Sequence, residues 1–446
     1  MIAKFEEYFC ENSSIHGLKF VGDKRILRVE RLFWIIAVAS AFASGYYLIQ
    51  SNWDHYRANP TVVTIRKDYR NWENPFPAAT ACFVDRVDKE KARIYIEKKF
   101  GVTSDNKKFD YYMNFINILS NATYATFSHL EPYQNDGTLS NINMIELVTQ
   151  VHPDLSGILV TSHTHVKADW EMVLTENGLC FSVNSEFSDL LSPSYKRKSS
   201  KLRTTKGNLK CHYLNGLCYA RYDSDPEMPI MYYIHSYLDI AHATSEPPFL
   251  VGKSEEFEIN FKLTETYSSP NIRYLTPQQR NCRFDNEPLT NNIPVYSKSI
   301  CYVECRYRIA VKTCGCKPFF YNFLGGKVCN IKGLVCLSQI HHLFNQSLQT
   351  LDCACPQPCD LIVYLKDTPQ LTKWETGFFG ERITFRWGLL SPTTKYHRKV
   401  LFGFQDLIVS FGGILSLFLG MSFISVTESV FLLLDFLYQH LVKKKV

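Results

Sequence analysis

The sequence predicts a membrane protein in which two transmembrane helices bracket a large, disulfide-rich α+β extracellular domain. The chain has 446 residues, with one long apolar run near each end. Of its 15 cysteines, 14 lie between the two runs. At 46% hydrophobic and 14% aromatic residues, the composition suits a folded core and excludes a disordered chain.

The first apolar run, Leu32 to Ile49, reads LFWIIAVASAFASGYYLI and has 18 residues, just enough to cross a bilayer. A signal peptide is the alternative interpretation. Against it, the run begins 31 residues into the chain and lacks a small-x-small cleavage site. We therefore expect residues 1–31 to be a cytosolic N-terminus and residues 32–50 to be the first transmembrane helix.

The second apolar run, residues 404–442, differs from a simple lipid anchor. Its central part, Leu407 to Tyr438, would measure roughly 48 Å as one straight helix, more than the roughly 30 Å hydrocarbon core. Charges at membrane depth usually face a bundle interior or a water-filled path, and glycines permit a helix break. The central part, Leu407 to Tyr438, carries small hydroxyls, three glycines and two acids, Gly412, Gly413, Gly420, Glu428 and Asp435. This composition predicts the wall of an ion pathway.

The basic residues that flank the two apolar runs, together with the cysteines, determine the expected membrane topology. Lys24, Arg25, Arg28 and Arg31 precede the first run, and Lys443 to Lys445 follow the second, which places both ends in the cytoplasm. Lys395, Arg398 and Lys399 oppose this assignment. The cysteines decide it, because disulfides form in an oxidising compartment. Residues 51–403 are then extracellular, residues 443–446 form the cytosolic tail, and Asn121 and Asn345 are expected glycosylation sites.

Cysteines are concentrated in the last part of the extracellular segment, where ten fall between Cys282 and Cys359. Zinc binding at Cys314 and Cys316 is the alternative, but extracellular placement favours disulfides. Cys211 and Cys218 suit a local staple, and Cys82 and Cys180 are left to join distant strands. Spacing alone does not determine the pairing.

Local patterns predict mixed secondary structure between the cysteines. Residues 256–264 (EFEINFKLT) alternate apolar and polar side chains, as in a half-buried strand. Residues 108–120 and 337–343 have helical spacing. We find no nucleophile-elbow or zinc-protease motif, and the net charge of +6 is spread out. We therefore expect no enzyme activity, no metal or cofactor, and no nucleic-acid partner.

Several separate motifs together resemble the degenerin and epithelial sodium channel family, and within it most closely the insect pickpocket branch. The likeness covers the whole chain. A lone His-Gly pair is a weak signal, whereas the cysteine spacing combined with the pore helix is highly specific. The matching motifs are His16-Gly17 before the first run, Phe76 to Cys82 (FPAATAC), Gly178 to Asn184 (GLCFSVN), Cys301 to Cys316, Cys353 to Cys359, and Gly412-Gly413 to Glu428.

The resemblance implies specific disulfides that the spacing leaves open. Nested bridges of this kind make a stiff rod, and each closed loop adds a few kcal/mol of stability, about 2–4 for a typical bridge. The implied pairs, with the local staple, are Cys82–Cys180, Cys211–Cys218, Cys282–Cys359, Cys301–Cys355, Cys305–Cys353, Cys314–Cys336 and Cys316–Cys329.

The resemblance also implies a trimer with a three-fold pore that amiloride-type compounds block. Gly420, Met421 and Ser422 fall on the family's G-x-S selectivity filter, where a broken helix presents backbone carbonyls to a cation. A small-x-small helix contact without an ion role is the alternative. His16 and Gly17 fall on the family's gating pair, and the expected pore and mouth residues are Asp406, Gly412, Gly413, Ser416 and Glu428.

Asp406 and Glu428 lie 22 residues apart, about 33 Å along one helix. They can therefore mark the two mouths of the pore and concentrate cations there. The alternative is that each carboxylate only caps the apolar stretch at an interface. Asp435 is expected nearer the cytosolic end.

Two residues depart from the family pattern. Met421 stands where the family usually has a smaller side chain, which puts the preference for Na⁺ over K⁺ in doubt. Val409 stands where the family prefers a small residue and where bulk hinders closing. The hypothesis is that a channel with Val409 is leaky, or that nearby packing compensates.

The resemblance implies a subunit of a homo- or heterotrimeric, amiloride-sensitive sodium channel in the plasma membrane, in contact with lipid, with Na⁺ as the permeant ion. Its stimulus acts on the extracellular domain and cannot be read from the sequence. Two alternatives stay open, a non-conducting accessory subunit and a disulfide-rich membrane receptor. The glycines, serines and acids of residues 404–442 favour the channel over the receptor.

Overall fold

The structure is a computed structural model that describes residues 8–58, 60–162, 168–195, 208–225, 228–290, 293, 295–345 and 353–441. The chain forms two compact units. The helical unit comprises Met1–Thr64, Ser269–Asn281 and Arg398–Val446, and the cysteine-rich unit comprises Ile65–Ser268 and Cys282–His397.

The described helices are numbered along the chain. They are α1 (residues 8–12), α2 (Leu18–Gly22), α3 (Arg28–Ala58), α4 (Lys89–Phe100), α5 (Lys108–Ser120), α6 (Met144–Val151), α7 (Ser188–Leu191), α8 (Pro277–Arg280), α9 (Lys298–Cys314), α10 (Ile331–Gln339), α11 (His341–Asn345), α12 (Phe404–Leu419) and α13 (Phe423–Leu441).

The strands are numbered in the same way. They are β1 (Thr61–Arg66), β2 (Glu73–Pro75), β3 (Ala78–Phe83), β4 (Gly157–Thr161), β5 (Glu171–Thr175), β6 (Gly178–Val183), β7 (Lys210–His212), β8 (Cys218–Ser224), β9 (Ile230–His235), β10 (Phe249–Val251), β11 (Glu255–Ser268), β12 (Leu361–Lys366), β13 (Gln370–Lys373), β14 (Ile383–Leu390) and β15 (Lys395–Val400).

In the helical unit, α3 contains the first predicted transmembrane segment and extends it at both ends. Its 31 residues measure about 46 Å at 1.5 Å per residue. It is the one helix, among the described residues, that is long and apolar enough to cross a membrane unaided.

The second predicted transmembrane segment is not one straight helix. It divides into α12 and α13, whose axes are bent by 69° at residues 420–422, and only the two helices together meet the requirements of a span. The prediction that Asp406 and Glu428 lie about 33 Å apart along one helix is therefore wrong. The physical cause of the break is the backbone at Gly420, described below.

The cysteine-rich unit contains two main sheets. In the larger sheet, β11 pairs in parallel with β14, and both β12 and β13 pair antiparallel with β11. Strand β8 joins the other edge of β14, and β4 joins β8, both antiparallel. The smaller sheet has the order β10-β9-β3-β6-β5, and β2 pairs with β7.

Two hydrophobic clusters make up the core of this unit. One contains aromatic residues of both sheets, and the Tyr232 and Phe385 rings stack at 4.1 Å between centroids. The other joins the helices to the smaller sheet and includes Phe115, Leu147 and Leu334. The helix predicted at residues 108–120 is α5, and the strand predicted at residues 256–264 lies within β11. The predicted helix at 337–343 instead straddles α10 and α11, which meet at Ile340.

Seven disulfides stabilise the cysteine-rich unit. They join the same cysteines that the resemblance implies, with Cα atoms 4.5–6.1 Å apart. Three of them involve α9 or α10: Cys314–Cys336 joins the two helices directly, and Cys301 and Cys305 tie α9 to residues 353–355. These bridges leave the two helices little freedom to separate. Cys10, in α1, takes part in none of these seven disulfides.

Candidate functional site

The break between α12 and α13 is produced by a left-handed glycine. Gly420 has φ +62° and ψ 21°, a conformation that side-chain-bearing residues rarely adopt. Its N–H donates to the Ser416 carbonyl at 3.0 Å, and the Met421 N–H donates to Leu415 at 3.2 Å. These bonds close the last turn of α12 while the chain changes direction.

Serines begin the next helix. The Ser425 N–H donates to Ser422 Oγ at 3.3 Å, and the Ser422 N–H donates to Ser425 Oγ at the same distance. Such hydroxyls satisfy the N–H groups that a helix start leaves without partners. The predicted filter residues Gly420, Met421 and Ser422 are therefore the non-helical link between α12 and α13.

His16 of the predicted gating pair contacts this link directly. The His16 N–H donates to the Leu419 carbonyl at 3.0 Å, and the His16 ring lies over Gly420. A Cβ atom on Gly420 would lie 2.3 Å from His16 Nδ1. The sequence places these residues about 400 positions apart, and the fold brings them into contact.

Gly17 allows the N-terminal segment to approach α3. It has φ +85°, and a Cβ atom there would lie 2.7 Å from Cγ2 of Val38. Ile15 is buried next to it. Any other residue at position 17 meets both backbone strain and a steric clash.

One face of α12 packs on α3. Ile414 and Phe418 approach Gly45 of α3, where a Cβ atom would lie 3.8 Å from Ile414 Cγ2 and 3.9 Å from Phe418 Cβ. Asn52 Nδ2 donates to Ser410 Oγ at 2.6 Å on the same pair of helices. This polar contact was not predicted, although an asparagine at the end of an apolar run was a signal for it.

The other face of α12 carries small residues. An α-helix turns about 100° per residue. On this basis the centre of one group of residues lies roughly 170° around the α12 axis from the Ile414–Phe418 face that meets α3; the group is Val409, Gly412, Gly413 and Ser416. Val409 is 74% exposed, and a Cβ atom on either glycine would meet nothing within 4 Å. The predicted pore residues of α12 thus share one open face, which leads to Gly420.

The three acids of this segment occupy different settings. Asp406, in the first turn of α12, accepts the Gly403 N–H at 2.8 Å and so caps the helix. Glu428 is half-buried on α13. Asp435 accepts the Tyr8 hydroxyl at 2.6 Å, and the Tyr8 and Phe436 rings are 6.0 Å apart. The Tyr8 contact was not predicted.

The cysteine-rich unit contains a buried ion pair. Arg306 of α9 donates to both carboxylate oxygens of Glu176, at 2.7 and 2.6 Å, and both side chains are almost fully buried. Tyr321 also donates to Glu176, and its hydroxyl lies 2.5 Å from that of Tyr124. Burial acts to raise the pKa of Glu176, but the Arg306 guanidinium outweighs it and holds that pKa below its usual value.

The predicted glycosylation sites lie in the cysteine-rich unit. The Asn121 amide is half-buried, donates to Asp85 at 2.9 Å and accepts the Arg86 N–H at 2.9 Å. The Asn345 sequon continues into residues 346–347, which lie outside the described residues. Both sites stay predictions.

Comparison with known proteins gives one family across most of the chain. Residues 9–432 match the family model described as "Amiloride-sensitive sodium channel". Sodium channel protein Nach of Drosophila melanogaster is 24% identical over 466 residues, covering 95% of this chain and 85% of the relative. Pickpocket protein 28 of the same species is 22% identical, covering 95% and 77%.

A vertebrate relative has similar coverage. The bile acid-sensitive ion channel of Rattus norvegicus is 23% identical over 475 residues, covering 96% of this chain and 87% of the relative. Among solved structures, a proton-activated chloride channel aligns with 91% of this chain at 9% identity and a TM-score of 0.26. That structural likeness is too weak to support any conclusion.

Proposed function

Because the chain belongs to the amiloride-sensitive sodium channel family, a family of ion channels and not of enzymes, we propose that it is a subunit of a trimeric sodium channel. Three copies, or copies of related subunits, surround one pore in the plasma membrane. Na⁺ crosses passively, amiloride-type compounds block it, and both termini lie in the cytoplasm. An extracellular stimulus acting on the cysteine-rich unit opens the pore.

One observation carries the proposal, the open face of α12. It bears Val409, Gly412, Gly413 and Ser416 and faces away from α3. Small residues let three helices approach closely, and the Ser416 hydroxyl can contact a partly hydrated cation. An isolated membrane anchor has no need of such a face.

The narrowest part of the proposed pore is the link of Gly420, Met421 and Ser422. A non-helical backbone at membrane depth is tolerated where it lines a water-filled cavity. Three links around one axis present carbonyl oxygens and three Ser422 hydroxyls to the ion. Asp406 and Glu428 add negative charge at the two mouths, which attracts cations.

The N-terminal segment supports this link in the proposed channel. The Leu419 carbonyl accepts the His16 N–H, and the His16 ring packs on Gly420. A movement of residues 15–17 therefore changes the environment of the filter. We propose this contact as the gating role of His16 and Gly17.

Cysteine accessibility tests which face of α12 lines the pore. A positively charged methanethiosulfonate reagent should reduce the sodium current of Ser416→Cys. It should leave Ile414→Cys, whose side chain packs towards Gly45 on α3, unaffected. Equal modification of both positions would argue against the assigned pore face.

An accessory role is the second candidate, favoured by Val409 and Met421, which depart from the family pattern. An accessory subunit gives no current alone and increases or alters the current of a conducting relative. Co-expression with and without a related subunit separates the two roles.

A further inference from the structure

The cysteine-rich unit contains a cavity of about 450 Å³ whose role the pore does not explain. It lies between β9 with the following residues 236–246, the first turn of α9, and β12. Sites for small organic ligands typically measure roughly 300–1,000 Å³, so the cavity has a suitable size.

One wall of the cavity is apolar. Phe261 of β11 is 1% exposed, and the half-buried Ile234 of β9 and Ile362 of β12 pack against the same hydrophobic cluster and line the cavity with it. This wall suits the hydrocarbon or aromatic body of a ligand, because burying apolar surface contributes about 25 cal/mol per Å².

Two ammonium groups also line the cavity, and one of them belongs to Lys366, the cross-strand neighbour of Phe261. Lys298 lies at the start of α9, where its Nζ is 5.8 Å from the centre of the Tyr302 ring. Within the described residues no carboxylate pairs with it. Lys366 pairs with Glu246 at 2.9 Å, and the Glu246 side chain is 75% exposed. An exposed pair of this kind is weak, about 0–1 kcal/mol, so a ligand carboxylate can replace it.

The remaining acid of the cavity already has partners. Asp239 accepts the Ser299 hydroxyl at 2.7 Å, and its own N–H donates to Ser236. The first turn of α9 also faces the cavity through Lys298, Ser299 and Tyr302. The N-terminus of a 17-residue helix adds positive potential there. Asp239 keeps its charge because serine is neutral, so two ammonium groups and two carboxylates line the cavity, and Lys298 is the cation that no described carboxylate pairs with.

We propose that this cavity binds a small organic anion whose carboxylate meets Lys298 and Lys366 and whose apolar body lies on the Phe261 wall. The ligand joins α9 to β12 and to residues 236–246, and so favours the arrangement in which these segments are close. The inference deepens the proposed channel function, because it names the chemical class of the stimulus.

Binding to the purified full chain in lipid nanodiscs tests the proposal without any current. The probe is 2-naphthylacetate, an aromatic carboxylate, compared with its neutral amide and with 2-naphthylethylamine. We expect the carboxylate to bind tightest. Lys298→Gln should weaken its binding at least about fivefold, as expected for loss of a charge-assisted contact.

A matched control and a second variant keep the result interpretable. Lys262→Gln removes an exposed lysine outside the cavity, paired with Asp367 at 3.6 Å, and should leave binding unchanged. Ile362→Trp, on the same face of the sheet as Phe261, should weaken the binding of all three probes by filling the space along the apolar wall. Both cavity variants should melt within a few degrees of the wild type.

Two outcomes would overturn the proposal. The first is equal or stronger binding of the amide or the amine. The second is wild-type binding by a folded Lys298→Gln variant. Because binding is read without current, a chain that binds the carboxylate but conducts no ions contradicts the channel function alone. A chain that conducts but does not bind contradicts only this inference.

Discussion

The His16 ring packs directly against Gly420 and fills the space that a side chain there would need, because a Cβ atom on Gly420 would fall 2.3–2.5 Å from three atoms of the imidazole. The contact joins the N-terminal segment to the break between α12 and α13. It is reinforced by the His16 N–H, which donates to the carbonyl of Leu419. The absence of a side chain at position 420 is thus required both by the left-handed backbone and by the ring.

Gly420→Ala should therefore lower stability and current together. The left-handed conformation alone costs a non-glycine residue about 1–2 kcal/mol, and displacement of the His16 ring adds to that cost. We expect a lower melting temperature of the purified protein and a smaller or altered sodium current at equal surface expression.

Gly137→Ala is the matched control for stability, since a Cβ atom there meets nothing within 4 Å and the residue lies outside the proposed pore face. Alanine at a compatible backbone position also lowers the entropy of the unfolded chain, which stabilises the folded state by about 0.4–1 kcal/mol. The melting temperature of Gly137→Ala should equal or exceed that of the wild type. A Gly420→Ala protein as stable as Gly137→Ala would contradict the packing of His16 on Gly420.

Val409→Ala should reduce the resting current if valine at this position hinders closing. The side chain is 74% exposed and lies on the open face of α12, so its bulk acts on neighbouring subunits in the proposed trimer. Whole-cell recording before and after amiloride measures the resting open fraction. An unchanged open fraction would remove the idea that Val409 makes the channel leaky.

Glu176→Gln should destabilise the cysteine-rich unit strongly. It leaves the Arg306 guanidinium buried without its carboxylate, and breaking a buried pair typically costs about 3–5 kcal/mol. We expect the melting temperature to fall by more than about 5 °C.

The double variant Glu176→Leu with Arg306→Met removes both charges and should recover part of this loss, because no buried charge is left. Arg93→Gln on the exposed surface of α4 serves as the control and should melt as the wild type does. A double variant as unstable as the sum of its single changes would show that the two residues act independently.

Acid should destabilise the unit through His242. Burial lowers the pKa of His242 to about 4, against 6.5 for a free histidine. The unfolded chain then binds a proton that the folded chain does not, between about pH 6.5 and 4. Stability from this residue is complete above pH 6.5, falls as the pH drops to 4, and loses about 3 kcal/mol in all.

Chemical unfolding at several pH values measures this slope. His242 Nδ1 accepts the Thr244 N–H at 3.3 Å, and Asn supplies an oxygen acceptor that does not titrate. Burial also lowers the pKa of His152 to about 4. His242→Asn should therefore reduce, but not abolish, the slope between pH 6.5 and 4, whereas His129→Asn, at an exposed site, should leave it unchanged. Identical slopes for His242→Asn and the wild type would contradict the burial argument.

Local patterns of apolar and polar residues predicted individual helices and strands. The apolar spacing of residues 108–120 coincides with α5, and the alternation of residues 256–264 lies within β11. The glycines of residues 404–442 indicated that the helix there can break, but not that Gly420 alone would be left-handed. Of these three glycines, Gly420 is the one that contacts His16, a residue distant in sequence.

Contacts between distant polar residues were beyond sequence reasoning. Glu176 lies in the turn between β5 and β6 and Arg306 lies in α9, and no local spacing relates them. The Tyr8–Asp435 and Asn52–Ser410 hydrogen bonds likewise join segments more than 350 residues apart. The cavity at Phe261 is lined by segments from separate parts of the sequence, residues 233–246, 298–302 and 357–366, which no local pattern relates.

The most direct test of the account is voltage clamp of cells that express this chain alone, with bath Na⁺ replaced by a large organic cation and amiloride then added. We predict an inward current that falls on Na⁺ removal and on addition of amiloride, and that changes its Na⁺ to K⁺ ratio in Ser422 variants. Surface protein without any such current, alone or with a related subunit, would contradict the proposal that the open face of α12 lines a sodium pore.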